Sequence, residues 1–592
     1  MLWIATAVHL YLISVICTAL VYRENFEQYE FAQKEPFKDG IRIKDVWKED
    51  LIEMDVQGLL RSSFKEAVRI WSETLSVRNK FGHRFLIPRL CDSLGLGFQK
   101  GRLCCMGNCV PQGTCGSFSV PGHLFDKCRI CMDTSADNAI PSGVGLHGTD
   151  LLLYVEIGGD NSCADADAYA VICLSDDRTD RVLVANIGVC REMLSFPTSL
   201  QITVFLHEIG HALGLDTTVY AFLRHRDGSP RTPRNSRTDT PIVGQDVNGL
   251  YIPKNTTGLN VNVTLQTASR NVRKTIFHLT LPTVLQVARR VFNAPNLVSF
   301  PMEDLDIPGF KNSHFDGRTA QGELMTQPSG APQKITHLLL AYMYDTGWYD
   351  VSAAHATVPT WGLLAGEEFV TKSCYEFVKL QRQRNKPPTP FCGWPEYNTP
   401  TCLPDRSGYG LCDIVQIKSR AWDAHKVDRP DVNVLLRRYS FGGRYLQLNH
   451  CPVITDTRKE KLWYRISHVC NQELDIKPTE NLALENFGSN SICLDHDRQD
   501  PWRVQLENGI ERDLGNFGAS CHAYQCTQGK GLELIFGNSK YTCPSEGGSI
   551  KLTVATDSGQ LLGSVHCPIC ETICLRDHCQ TVSSLGQFAK GT

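Results

Sequence analysis

Two histidines and a glutamate stand at a spacing that chemistry can use, in His207-Glu208-Ile209-Gly210-His211. On a helix, residues four apart share a face, so both imidazoles could reach one ion at Zn–N distances of about 2.0–2.1 Å. Glu208 sits beside them without being forced to ligate. From there a carboxylate can take a proton from water activated by the ion and later pass it to a leaving amine. That chemistry is peptide-bond hydrolysis.

A catalytic zinc usually takes three protein ligands and keeps a fourth position open. The pattern H-E-x-x-H-x-x-G-x-x-H would put the third ligand three residues after Gly214, but Thr217 stands there and Asp216 comes one place early. The remaining candidates are His225 in an Arg-rich polar stretch, His278 in an apolar run ahead of a helix, and His314 in Lys311-Asn312-Ser313-His314-Phe315-Asp316. His314 has the best context. Glu323-Leu324-Met325-Thr326 follows it and could form a methionine-containing turn beneath a metal. Spacing alone leaves these candidates open, with a distant glutamate as third ligand, of the gluzincin kind, as a rival.

The elements that must position these residues are legible in outline. Ile202, Phe205, Leu206, Ile209 and Leu213 form one apolar side of a predicted helix, and Gly214 offers its stop. Upstream, the runs 151–157, 168–173 and 181–187 are apolar, rich in β-formers and bounded by Gly, Asp or Ser, as strands of a small sheet would be. Leu59, Leu60, Phe64, Ala67, Val68, Trp71 and Leu75 recur three to four apart and predict an amphipathic helix. After Thr217 the chain is polar and basic, with Arg224, Arg226, Arg231, Arg234 and Arg237, and reads as a solvated loop before a helical stretch at 283–292.

Composition sets the class. The chain has 592 residues and a formal net charge of -3, with 60 basic and 63 acidic residues well mixed. That length suits about three domains. No basic stripe of the kind a nucleic-acid partner needs is present. Residues 1–20 are almost wholly apolar with small residues near Cys17, which reads as a signal peptide. The other 24 of the 25 cysteines fall in two clusters, Cys91 to Cys190 and Cys374 to Cys579, with none between, so each cluster could pair within itself. The pairs Cys128-x-x-Cys131 and Cys567-x-x-Cys570 read as disulfide cysteines rather than metal or redox pairs, and the acidic run 160–167 as a solvated turn. Sequons at Asn255 and Asn262 agree with passage through the secretory route. No apolar C-terminal tail is visible, so neither a C-terminal membrane span nor a lipid-anchor signal is read there, and the alternative to a signal peptide is an uncleaved anchor helix at the N-terminus.

With these residues in hand the chain resembles the leishmanolysin family of zinc metallopeptidases, and its animal members in particular. The resemblance is carried by His207 to Gly214, by the run Arg226 to Arg234, by Gly322-Glu323-Leu324-Met325-Thr326, and by Asp345-Thr346-Gly347-Trp348-Tyr349. It covers roughly Ile41 to Cys579 and is loosest in the C-terminal part. It implies one zinc ion per chain, His314 as third ligand beyond an insertion, and Met325 as the turn methionine. The implied fold is α+β and metzincin-like. A signal peptide (1–20) precedes a catalytic part with a twisted sheet and the zinc helix (21–216), a mostly helical central part (217–348) and a Cys-rich C-terminal domain (349–592). The implied partners are protein or peptide substrates, extracellular matrix and host proteins among them, bound extended beside an edge strand. Two departures stand out. The stretch from His211 to His314 is longer than the family leads one to expect and carries both sequons, and no cysteine between the signal and Cys91 could cap the zinc of a precursor. The alternative class is an adhesion or binding protein that kept the fold and lost the activity. Such a chain has no chemical reason to keep Glu208.

Overall fold

The computed structural model describes residues 31–579 with interruptions, the longest being 132–139, 304–311, 418–439, 456–467 and 472–480. The apolar leader 1–20 and Arg237 lie outside the described residues.

A four-stranded sheet and two helices make the frame of the N-terminal part. Its strands are β1 (Ile43–Trp47), β2 (Leu151–Ile157), β3 (Ala168–Ser175) and β4 (Val182–Val189), in the order β1-β2-β4-β3. β1 and β4 both run parallel to β2, while β3 pairs antiparallel with β4 and forms an edge. Every residue of β4 is buried, as suits a strand covered on both faces whose one polar side chain, Asn186, is hydrogen-bonded to Glu156. β1 escapes a sequence reading because the adjacent charges Lys44 and Asp45 break up its Ile, Val and Trp inside a charged segment. Helix α1 (Met54–Thr74) packs against α2 (Thr198–Ala212), with Trp47, Phe64 and Phe205 meeting edge to face. The Trp71 indole N–H donates to Leu206 O at 3.0 Å, and Ser63 Oγ donates to Gln201 Oε1 at 2.8 Å. Phe64 and Phe205, both fully buried, each contribute on the order of 1.5–3 kcal/mol, so α2 is held by packing along its buried side.

The central part is not mostly helical. It holds a hairpin of two nine-residue strands, β5 (Gly258–Gln266) and β6 (Asn271–Leu279), in register from Gly258↔Leu279 to Gln266↔Asn271, with the short β7 (Phe300–Pro301) beside β6. The reason is local. Val261, Val263 and Leu265 alternate with polar residues at period two, a strand pattern inside a stretch that otherwise looks polar. Helices α3 (Pro282–Val291) and α4 (His337–Asp345) pack together, α3 with Pro282 at its first turn. The basic segment is not a solvated loop either. Arg224 and Arg234 both pair with Asp180, at 2.7 and 2.8 Å, and Arg231 is buried against Asp345. Arg226 pairs with Asp350.

Beyond α5 (Cys374–Gln383) the chain is built of strands, ending in an eight-stranded antiparallel sheet. Its members are β8 (Ser491–His496), β9 (Trp502–Leu506), β10 (Glu511–Gly515), β11 (Ala519–Thr527), β12 (Gly531–Phe536), β13 (Ser539–Thr542), β14 (Gly548–Thr556) and β15 (Gly559–Cys567). The fold is thus mixed, with several sheets and few helices. One apolar core runs from Ile41 to Val453 and another from Ala483 to Cys579.

Cysteine pairing stays within the two clusters among the described residues. Cys104–Cys131, Cys109–Cys128, Cys115–Cys173 and Cys163–Cys190 lie in the first, and the latter two fasten strand β3 and its approach. In the second, Cys567 pairs with Cys543 and Cys570 with Cys579, so neither C-x-x-C motif closes on itself. This disulfide content fits an oxidising, extracellular compartment. No helix among the described residues is long and apolar enough to cross a membrane.

Candidate metal centre

Helix α2 presents His207 and His211 on one face, as the four-residue spacing requires. The helix closes at Gly214: Leu215 N–H donates to Gly210 O at 3.3 Å and Gly214 N–H to His211 O at 2.9 Å. This is a Schellman turn, with Gly214 at φ +118°. A side chain at Gly214 would also strike Trp348, whose ring stands 2.6 Å from where its Cβ would be. The turn delivers Leu215 O to His211 Nδ1 at 2.7 Å.

His314 arrives from 103 residues away. An antiparallel bridge, Met302↔Phe315, lays its segment beside the extension of β7, and the Tyr220 hydroxyl donates to Asn312 O at 2.7 Å. The three Nε2 atoms then form a near-equilateral triangle with sides of 3.1, 3.1 and 3.2 Å. Nitrogens bound tetrahedrally to one zinc at about 2.0–2.1 Å would stand roughly 3.3 Å apart, so the triangle has the size such an ion needs. Every Nδ1 is engaged elsewhere: His207 with Leu324 O at 2.7 Å, His211 with Leu215 O, and His314 with Glu303 Oε2 at 2.9 Å. In each ring the Nδ1–H donates outward, leaving the Nε2 lone pair facing the centre of the triangle.

Electrostatics point the same way. Burial pulls the His207 pKa down to about 3 and that of His211 well below the ordinary value, so both rings are neutral and available as ligands. Burial opposes charge on His314 too, but the Glu303 carboxylate raises its pKa above the usual value. Glu208 is 6 % exposed, and burial pushes its carboxyl up to about 8. Its carboxylate makes no hydrogen bond among the described residues. A positive charge held by the neighbouring imidazoles would favour the ionised form.

Met325 lies under the helix. A Cβ at Gly210 would stand 2.5 Å from Met325 Sδ and 3.5 Å from Trp71 Cζ2, and Met325 O accepts from Phe315 N at 2.9 Å, next to His314. Overpacking of this kind costs about 1–3 kcal/mol. Gly210→Ala should therefore lower stability by about 1–3 kcal/mol in urea denaturation; a change under about 0.5 kcal/mol would mean that Met325 simply moves aside.

The other histidines fall away from this centre. His225 is exposed in a turn, and His278 Nδ1 is bonded to Ser299 Oγ at 2.9 Å on β6. Asp216 accepts from Thr218 N in a local turn. Among the described residues the only other cluster of ligand-type side chains, Cys105, Cys109 and Cys128, consists of disulfide-bonded cysteines. Sequence reasoning missed Glu303, because nothing in its spacing separates it from Asp304 and Asp306 nearby, and missed the carbonyls of Leu215 and Leu324, which sequence cannot mark.

The segments that carry the family resemblance converge on the end of α2. Tyr342 and Tyr349 donate their hydroxyls to Gly214 O and Leu213 O at 2.6 and 3.0 Å, and the Trp348 indole N–H donates to Thr179 O at 2.7 Å. Arg231 and Asp345 tie the two runs to each other.

Comparison with known proteins agrees. The sequence model of the leishmanolysin peptidase family matches residues 109–245 and 257–581, leaving 246–256 unmatched inside the long stretch between His211 and His314. The leishmanolysin-like peptidase of Drosophila pseudoobscura pseudoobscura is 29% identical over 523 residues, covering 86% of this chain and 76% of that protein. The leishmanolysin-like peptidase of Caenorhabditis elegans is 28% identical over 546 residues, 88% of this chain and 80% of that protein. Leishmanolysin of Leishmania major is 23% identical over 479 residues, 81% and 65% respectively. A match over most of the chain, on a fold that gathers three histidines able to hold a metal, makes this protein a member of the leishmanolysin family of metallopeptidases, hydrolases of peptide bonds.

Proposed function

We propose that the protein is a secreted, zinc-dependent endopeptidase acting on protein substrates, with His207, His211 and His314 as ligands, Glu208 as general acid/base and Met325 as the turn residue beneath the ion. The observation that carries this reading is the triangle of Nε2 atoms 3.1–3.2 Å apart, with each Nδ1 engaged behind it. Zinc bound there supplies Lewis acidity, lowering the pKa of water toward about 7 and polarising the carbonyl to be cleaved. Glu208 takes the proton of the attacking water and returns it to the leaving nitrogen. The buried Nδ1–H contacts hold the three rings in one tautomer throughout.

Strand β3 is at the edge of its sheet, and its outer side suits a substrate chain laid beside it in extended form. This arrangement of edge strand, helix and methionine turn is metzincin-like. The disulfides support secretion, and Asn255 and Asn262 are exposed and suited to carry glycans. The division of 217–348 from 349–592 is proposed on cysteine density, although the larger core crosses it to Val453.

The test is hydrolysis of a denatured protein substrate by the purified full chain. Activity should vanish with a metal chelator and return on adding zinc to at least about half its starting value. A folded, zinc-loaded chain that cleaved nothing across varied substrates and pH would put the silent binding-protein reading in its place.

A further inference from the structure

Behind the three imidazoles stand unlike partners. His207 and His211 each meet a backbone carbonyl at 2.7 Å, whereas His314 meets a carboxylate, Glu303 Oε2, at 2.9 Å. The carbonyls come with the end of α2 and the methionine turn. The carboxylate must itself be held, and it is. Its Oε1 accepts from Ser313 N at 3.3 Å and faces Ser313 Oγ at 3.4 Å, while the Glu303 backbone N–H donates to His314 O at 2.9 Å. The pair is thus closed by main chain in one direction and side chain in the other, next to the Met302↔Phe315 bridge.

Glu303 is only 4 % exposed, and among the described residues no Lys or Arg pairs with it. A buried carboxylate with only neutral donors is costly, and positive charge on its partner offsets the cost. A cation on the far side of His314 would supply that charge through the ring. His207 and His211 are placed by one helix, but His314 depends on a separate segment, so its orientation needs a restraint of its own.

We infer that Glu303 is the positioning residue that makes His314 a metal ligand, by holding its Nδ1–H, turning Nε2 into the triangle and placing negative charge behind the ring. This rests on the reading of the three histidines as ligands. Glu303 touches neither substrate nor the reacting atoms. Its effect is on metal retention and on the geometry of the site.

The experiment compares Glu303→Ala, Glu303→Gln and His314→Ala with the wild type in the full chain. Zinc affinity is read by competition with a chromophoric chelator, the ligand field by the visible spectrum after Co²⁺ substitution, and folding by circular dichroism. Glu303→Ala should bind zinc about 10–100-fold more weakly and change the Co²⁺ spectrum. Glu303→Gln, which keeps an acceptor oxygen for Nδ1–H, should lie closer to the wild type. A folded Glu303→Ala with affinity within about twofold of wild type and an unchanged spectrum would overturn the inference. Should that variant not fold, Glu303→Asp replaces it: its shorter reach should weaken binding about tenfold, and unchanged affinity would again overturn the inference. The two readings fail differently. If His314→Ala binds zinc as tightly as the wild type, the ligand set itself is wrong; if it binds weakly while Glu303→Ala does not, only the role of Glu303 falls.

Discussion

Glu208→Gln is expected to lower kcat for peptide hydrolysis by about 10²–10⁴-fold, the usual contribution of a positioned general base, with zinc content unchanged. The amide keeps the shape of the side chain and cannot accept a proton. Because Glu208 is buried beside His207 and makes no hydrogen bond among the described residues, its replacement should disturb neither the ligands nor the helix. KM should move little, since the loss is in the transition state rather than in substrate binding. The measurement is steady-state kinetics alongside metal analysis of the same preparation. A variant that held its zinc and kept more than about a tenth of wild-type kcat would remove Glu208 from the proposed role.

Asp345→Ala is expected to destabilise the fold by about 3–5 kcal/mol. Asp345 accepts from Thr283 N at 2.7 Å, Thr283 Oγ1 at 2.8 Å and Val284 N at 3.2 Å, at the start of α3, and faces Arg231 at 3.4 Å. Burial raises the Asp345 pKa and lowers that of Arg231, so in each partner desolvation outweighs the attraction between them. Such a pair adds little net stability when intact. Removing Asp345's carboxylate, however, leaves a guanidinium that is 5 % exposed with backbone carbonyls but no counter-charge and frees two backbone N–H groups at a helix start. Chemical denaturation of variant and wild type measures the difference; a loss below about 1 kcal/mol would show that water or a neighbour takes over the role of Asp345. The same variant should weaken zinc binding, because Asp345 stands next to the Thr346 to Tyr349 segment that supports the end of α2.

Some of this was readable before any fold. His207 and His211 sit one helical turn apart, and that spacing by itself puts two rings on one face. The three strands read at 151–157, 168–173 and 181–187 were legible because each is a mainly apolar run between breakers, and the structure ends the last two at Ser175 and Val189. Gly214 was legible as a stop, though its second constraint, the close approach of Trp348, was not. Ile43 to Trp47 was hidden, since Lys44 and Asp45 interrupt its apolar residues and its charges fall on both faces, so it resembles a polar segment. The β5–β6 hairpin shows the opposite failure. Its alternation was present at Val261, Val263 and Leu265, but the surrounding polar and turn-forming residues drew the stretch toward loop.

Local pattern determined the His-Glu-x-x-His helix, its stop, the main sheet and the grouping of cysteines, because these depend on contacts within a few residues or on composition. For the third ligand, spacing left His225, His278 and His314 open with His314 in the best context, and the family resemblance then pointed to His314. Tertiary structure alone decided what brings His314 within 3.2 Å of the other two nitrogens, which groups hold each ring from behind, and that the arginines after Thr217 are paired rather than solvated. Those facts depend on pairings between residues far apart in the chain, 44 apart for Arg224 with Asp180 and 114 apart for Arg231 with Asp345, and a linear spacing carries no record of which distant segments will meet.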